Sequence, residues 1–354
     1  MKNKERESGV ELLRIILIFF VVTMHYFNPQ MGGGINVIPP ESQWIANLMI
    51  AVSCCAVNCF ILISGYFMIT NNKRSISKPL SLYLQLVVFT ILGKTMLCIL
   101  GSYSMGIKNI LTCLIPTNYF IVLYLVLYIV SPYLNLILMQ LSKKAYTTFI
   151  LLAVFIFSIY PFLMDILGEF NGQTILGTST IGMYGSQRGY SIVNFLLLYS
   201  IGGYIRRFEI DRCLGVQRSM LLSIVSMGVI FLFILAEGGL HLEGEHVATS
   251  YLNPVVIMSA VSMFCVFKNL HFYNGIINKL AGSVLTCFLM QGFILQLVNV
   301  EKFASGSLFM LIIHLLISFA IILCTSFVLF QLWSLINKMI FKKIDKYSIN
   351  YGID

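Results

Sequence analysis

Arg14 and His25 lie inside an apolar stretch near the start of the chain, residues 8–28, SGVELLRIILIFFVVTMHYFN. A charged or ionisable side chain in hydrocarbon costs at least ~2.5 kcal/mol and faces a protein interior or a water-filled cavity, so it marks a functional site by default. A guanidinium fork suits a phosphate. A neutral imidazole can take the proton of an attacking hydroxyl, or attack an electrophilic carbon itself; the residues alone leave both open. On an unbroken helix, eleven residues at ~100° make three turns plus about 20°, so the two side chains share a face. Glu11 precedes Arg14 by three residues, within ion-pair reach, and lies about 40° off the same line. The rise from Arg14 to His25 is roughly 16 Å, about half of a hydrocarbon core ~30 Å thick. One polar seam therefore runs from the membrane surface to mid-depth. The plainer alternatives are an arginine snorkelling to the interface, a surface ion pair and a histidine hydrogen-bonded within a bundle.

The elements that must position this seam are set by composition. Of 354 residues 58% are hydrophobic and 10% charged, and the mean hydropathy is +0.89, which excludes a soluble domain and indicates a polytopic membrane protein. The net charge of +9 is scattered between apolar segments, so it reads as membrane topology and not as a nucleic-acid surface. Cys54, Cys55, Cys59, Cys98, Cys265, Cys287 and Cys324 fall within apolar runs and read as small membrane-helix residues. Cys113 and Cys213 have no C-x-x-C or histidine partner, and no metal site is expected. The basic N-terminus resembles a secretory signal, but no small-residue cleavage site follows, so the first helix is expected to be retained.

Apolar stretches long enough to span fall near 10–28, 45–69, 79–101, 119–140, 145–164, 190–207, 219–236, 252–268, 281–299 and 307–333. The expectation is an all-α bundle of about ten transmembrane helices, one domain over residues 1–354. With the N-terminus inside, the outer segments hold only Lys108, Arg188 and Lys302. The inner ones hold Lys73, Arg74, Lys78, Lys143, Lys144, Arg206, Arg207, Arg212, Arg218, Lys268, Lys279 and the basic residues of both termini. That asymmetry places both termini in the cytoplasm. The outer loops 29–44, 165–189 and 237–251 are rich in Gly, Ser, Thr and acids, and long loops of this kind are often functional. Segment 101–118 can re-enter the membrane or lie on it.

Glu11, Leu12-Leu13, Arg14 and, ten residues further, His25-Tyr26 together resemble the opening helix of the acyltransferase-3 family of membrane acyltransferases. Three later stretches are similar to that family as well. Asn58-Cys59-Phe60-Ile61-Leu62-Ile63-Ser64-Gly65-Tyr66 resembles its second-helix run ending in Ser-Gly and an aromatic. Tyr119-Phe120 through Tyr124, Tyr128 and Ser131-Pro132-Tyr133-Leu134 resembles its central helix. Leu198-Tyr199-Ser200-Ile201-Gly202-Gly203-Tyr204 resembles another helix end.

The resemblance implies an O-acetyltransferase, moving a group other than an amino-acyl group, with acetyl-coenzyme A as donor and no permanently bound cofactor. The implied acceptor is a hydroxyl of a cell-surface glycan or lipid-linked glycan. The setting is polysaccharide modification in the cell envelope by a multi-pass protein of the bacterial plasma membrane, its partners being donor, acceptor and bilayer. On this reading Arg14 binds a phosphate of the donor, His25 meets the thioester and Glu11 orients Arg14. Lys73, Arg74 and Lys78 help to hold coenzyme phosphates. Family members carry an arginine-bearing stretch shortly afterwards, where this chain has Ser77-Lys78-Pro79-Leu80-Ser81-Leu82-Tyr83 with a lone lysine. Gln291 stands where the family commonly has a histidine, so no second catalytic imidazole is expected there. Some relatives append a soluble domain; without one, the membrane part performs the whole transfer or passes acetyl to a separate protein.

Asn58, Ser64 and Tyr119 are candidates for substrate contact, although Ser64-Gly65 equally suits close helix packing. Arg188 with Glu169 and Gln173 can hydrogen-bond a sugar held under loops 29–44 and 165–189. Lys94 reads as a ligand contact or an outward snorkel, His314 as an intrahelical histidine or a cavity residue, and His241, Glu243, Glu245 and His246 as a solvated acidic loop. The rival function is a transporter or flippase of a glycan or lipid-linked sugar, for which paired broken helices in two similar halves would speak; none are visible.

Overall fold

A computed structural model describes residues 7–71, 73–104, 106–115, 118–170, 179–182, 186–239, 247–341 and 348–350. Several of its helices start where the sequence supplies a polar side chain for the unpaired backbone N–H groups of a first turn. Asn118 accepts from Ile121 N at 3.1 Å, Ser142 from Ala145 N at 3.2 Å and Asn253 from Val255 N at 2.9 Å. Asn253 is followed by Pro254 at the first helical position.

The chain is a polytopic helical bundle. Among the described residues eight helices are long and apolar enough to cross a membrane. A further span forms if Gly275–Ala281 and Val284–Leu295, bent by 57° across Gly282-Ser283, count as one. Each of the ten apolar stretches meets a helix or helix pair, with differences of cause. The stretch 45–69 is two helices, Gln43–Ser53 and Ala56–Met68. The two remain one candidate span, Pro40–Met68, joined through helical dihedrals at Cys54 and Cys55, whose thiols donate to the carbonyls of Ala51 and Val52 at 3.3 and 3.7 Å. The stretch 145–164 carries a π-helical turn, Phe155–Ile159, from which the buried Ser158 hydroxyl donates to the Leu252 carbonyl. The stretch 190–207 is a 17-residue helix, Ile192–Phe208, sunk in the bundle. Within 101–118, the short helix Ile107–Cys113 packs on Ser77–Ile99 and leaves Ile107 and Leu111 exposed.

The opening helix, Ser8–Phe27, is central. It packs against Gln43–Ser53, Ala56–Met68, Pro254–Lys268 and both halves of the bent pair. Leu13, Leu17, Ile18, Val22 and Tyr26 are fully buried. Its last turn is closed by the glycine run: Gly32 N donates to the His25 carbonyl at 3.0 Å and Gly33 N to the Asn28 carbonyl at 2.8 Å. A Cβ on Gly32 would run into the Tyr26 carbonyl, and Gly33 has φ 72°, so the loop needs glycine to fold this tightly.

Ala56–Met68 and Ile192–Phe208 approach through small residues. A Cβ on Gly65 would strike the Tyr199 carbonyl, and one on Gly202 the Leu62 carbonyl. Gly65→Val is therefore expected to cost about 1–3 kcal/mol by overpacking and to lower the unfolding temperature of the detergent-solubilised protein. Gly228→Ala, with nothing within 4 Å of its would-be Cβ, should leave that temperature unchanged or slightly raised.

Away from the helices, Lys73–Ser75 and Ser348–Asn350 pair as an antiparallel ribbon, Arg74 opposite Ile349.

Candidate active site

Glu11 and Arg14 meet as the one-turn spacing requires, Arg14 Nη1 lying 3.3 Å from Glu11 Oε2 with Glu11 buried. Arg14 keeps part of its side chain open and lines an apolar cavity of about 360 Å³ with Val21, Phe60, Ser64, Phe120 and Phe288. Ser64 spends its hydroxyl proton on the Phe60 carbonyl at 3.0 Å, so it presents oxygen lone pairs to this space.

A second cavity, about 470 Å³, shares Leu82, Tyr124 and Leu285 with the first. Its walls include Lys73, Arg74, Ser77, Lys78, Gln85 and Asn337. The three cations contribute differently. Arg74 is buried, donates to Ser131 Oγ at 2.9 and 3.2 Å and to the carbonyls of Asn71 and Lys73, and lies over the Tyr128 ring at 5.5 Å. Its guanidinium is thus committed to the protein, and Lys73 and Lys78 are the more available cations. Lys94 lines neither cavity and sits over the Tyr103 ring at 5.8 Å.

A third cavity, about 460 Å³, opens at the Phe27 end of the opening helix. It is lined by Met24, Phe27, Asn28, Pro29 and Gln30 on one side and by Arg188, Tyr190, Ser250 and Tyr251 on the other. Asn58 supports it from below, its Nδ2 donating to the Tyr251 carbonyl at 2.7 Å. Tyr251 N in turn donates to the Arg188 carbonyl at 3.0 Å. Arg188 is held in the left-handed region, φ 51°, between Gln187 at φ 51° and Gly189 at φ 82°. Non-glycine residues pay for this conformation in strain, and such strain gathers at functional sites. Tyr119 meets Tyr190 edge-on at 4.6 Å, and Tyr190 meets Tyr251 at 5.1 Å.

His25 itself lines none of the three cavities; on its helix Val21, one turn before it, lines the apolar one, and Met24 and Phe27 line the third. The imidazole Nδ1 is sealed from solvent without a hydrogen-bond partner among the described residues, as is the side-chain oxygen of Gln291. His314 differs. It receives the Tyr26 hydroxyl on Nδ1 at 2.9 Å, donates from Nε2 to the Val298 carbonyl at 2.8 Å and stacks on Phe303 at 4.2 Å. Both of its nitrogens are occupied, and it reads as a clamp between helices.

The structure thus brings Arg14, Glu11, Ser64, Lys73, Arg74 and Lys78 to one connected pair of cavities and Asn58, Tyr119 and Arg188 to or around the third. Glu169, on the Tyr160–Phe170 helix, lines none of the three. Gln173 and the loop His241 to His246 lie outside the described residues. Tyr124, Gln85, Tyr190 and Tyr251 join the site unannounced. Gln85, a buried amide in an apolar helix bonded to Thr286 Oγ1 at 3.1 Å, carried the one readable signal among them, since an intramembrane polar group needs a partner or a role.

The family model described as "Acyltransferase domain" matches residues 7–331. No curated protein and no solved structure matches.

Proposed function

Because the chain belongs to the acyltransferase-3 family of membrane acyltransferases, we propose that it moves an acetyl group from acetyl-coenzyme A to a hydroxyl of a cell-surface or lipid-linked glycan across the bacterial plasma membrane. The observation that carries this reading is that the helix bearing His25 runs from the apolar cavity lined by Arg14 and Val21 to the third cavity lined by Met24 and Phe27, with Arg14 and His25 roughly 16 Å apart along it.

The cavity with Lys73 and Lys78 suits the coenzyme's phosphates, and it shares a wall with the apolar cavity where Arg14 waits. A pantetheine arm is comparable in length to the Arg14–His25 rise, so a coenzyme anchored at the basic end presents its thioester to the imidazole. The charge asymmetry of the loops makes the basic end cytoplasmic, where the donor is made. The third cavity, with Arg188, Tyr190 and Tyr251, then faces outward, and it offers a sugar both hydrogen bonds and aromatic faces.

Two routes use this arrangement. In one, His25 takes the proton of the acceptor hydroxyl as its oxygen attacks the thioester carbonyl; the C–O bond forms, the C–S bond breaks, and the proton passes to the coenzyme sulfur. In the other, the imidazole attacks first, releases the thiolate and then yields the acetyl group to the hydroxyl, whose proton ends on the thiol. Both leave an ester and free coenzyme A.

In sealed vesicles of known orientation, labelled acetyl-coenzyme A given to the cytoplasmic face is expected to acetylate glycan confined to the opposite face. Acetylation only when donor and acceptor share a side would overturn transfer across the membrane.

A further inference from the structure

We infer that Gln291 is the positioning residue for His25: its side-chain oxygen accepts the Nδ1 proton of the imidazole, fixes that tautomer and leaves the Nε2 lone pair for the reaction. The inference rests on the proposed role of His25. Gln291 is 1% exposed on the Val284–Leu295 helix, and its side chain comes within interaction range of the His25 ring. Its amide nitrogen is turned to the Phe288 carbonyl at 3.3 Å, which leaves the oxygen as the free half of the amide.

That oxygen and His25 Nδ1 are both buried and unpartnered. Each such orphan costs about 1–3 kcal/mol, and buried polar groups in folded proteins nearly always find partners. A modest turn of either side chain pairs the two and removes both penalties. The chemistry of the pair fixes its polarity. A carbonyl oxygen can only accept, so the ring nitrogen facing it must carry the proton, and a neutral imidazole has just one. Nε2 is then the basic nitrogen.

Two polar groups at the same end of the helix are engaged elsewhere. The Tyr26 hydroxyl belongs to His314, and the His25 carbonyl is held by Gly32 N. Gln291 therefore fixes the ring while the glycine loop fixes the backbone. Being uncharged, the amide orients the imidazole without drawing it towards the imidazolium, as a carboxylate would.

The test uses the full-length protein in nanodiscs with ¹⁵N-labelled histidine, the His25 signals identified by difference against His25→Gln. Wild type is expected to show a protonated Nδ1 and an unprotonated Nε2. Gln291→Leu, which keeps bulk but loses the acceptor, should mix the tautomers and lower kcat about ten- to a hundredfold, while the donor KM moves less than twofold. Gln291→Glu, which keeps an acceptor oxygen but adds a charge, should keep Nδ1 protonated with a larger imidazolium share than wild type. A wild-type Nε2–H tautomer overturns the inference by itself, even if Gln291→Leu does not fold, and so does an unchanged tautomer in a folded Gln291→Leu. The tautomer is read without turnover, so a fully active His25→Ala would sink the catalytic role separately from the pairing.

Discussion

His25→Ala is expected to lower acetyl transfer by about a thousandfold or more, equivalent to about 4 kcal/mol of transition-state stabilisation, while expression, membrane insertion and thermal stability stay near wild type. The asymmetry between activity and stability follows from the hydrogen bonding. The structure shows no hydrogen bond from His25 Nδ1 among the described residues, so truncating the ring forfeits only the inferred contact to Gln291 and no clamp between helices. The other buried histidine is the natural contrast: His314 holds Tyr26 and the Val298 carbonyl together, and its loss should show first as instability. Transfer of radiolabel from acetyl-coenzyme A, measured beside thermal unfolding of the same preparations, separates the two. Wild-type transfer by His25→Ala would remove the imidazole from the chemistry on either route.

The second large effect is expected at Arg14, and in a different kinetic parameter. A charge-assisted contact to a phosphate is worth about 1.5–3 kcal/mol, so Arg14→Ala should raise the donor KM about ten- to a hundredfold. Arg14→Lys should fall between the two, keeping the charge and losing the planar fork. The ion pair needs a control, because Arg14→Ala also removes the guanidinium 3.3 Å from buried Glu11. If Arg14 acts on the donor, Glu11→Gln should disturb donor affinity less than Arg14→Ala does. Donor affinity unchanged in both arginine variants would assign the guanidinium to packing.

Much of this was legible in the sequence because the membrane simplifies the reading. Arg14 and His25 stand out against Leu, Ile, Phe and Val, and one helical period puts them on a common face. The same contrast located ten helical stretches. Tertiary juxtaposition was less accessible. Nothing in the periodicity of Val284 to Leu295 pairs Gln291 with His25, because which residues of the two helices face each other is set by how they pack. The division at Cys54-Cys55 carries no Gly or Pro and keeps helical dihedrals, so nothing in the sequence marks it. Arg74 was readable as a candidate cation for a coenzyme phosphate. That its charge is spent on Ser131 and backbone carbonyls could be learned only from the packed helices.

The ribbon joining Lys73–Ser75 to Ser348–Asn350 sets an order of assembly. A helical membrane protein is inserted as it is synthesised, segment by segment, and most of its contacts form between neighbours as they arrive. This pairing instead links residues more than 270 positions apart, and its first strand carries two cations of the basic cavity. Asn337 and Phe341, which line that same cavity, also emerge late. The basic cavity is therefore completed only when the last long helix is in place, well after the helix carrying Arg14 and His25 has been made. A ribosome-bound chain has its imidazole before it has the surface that would feed it.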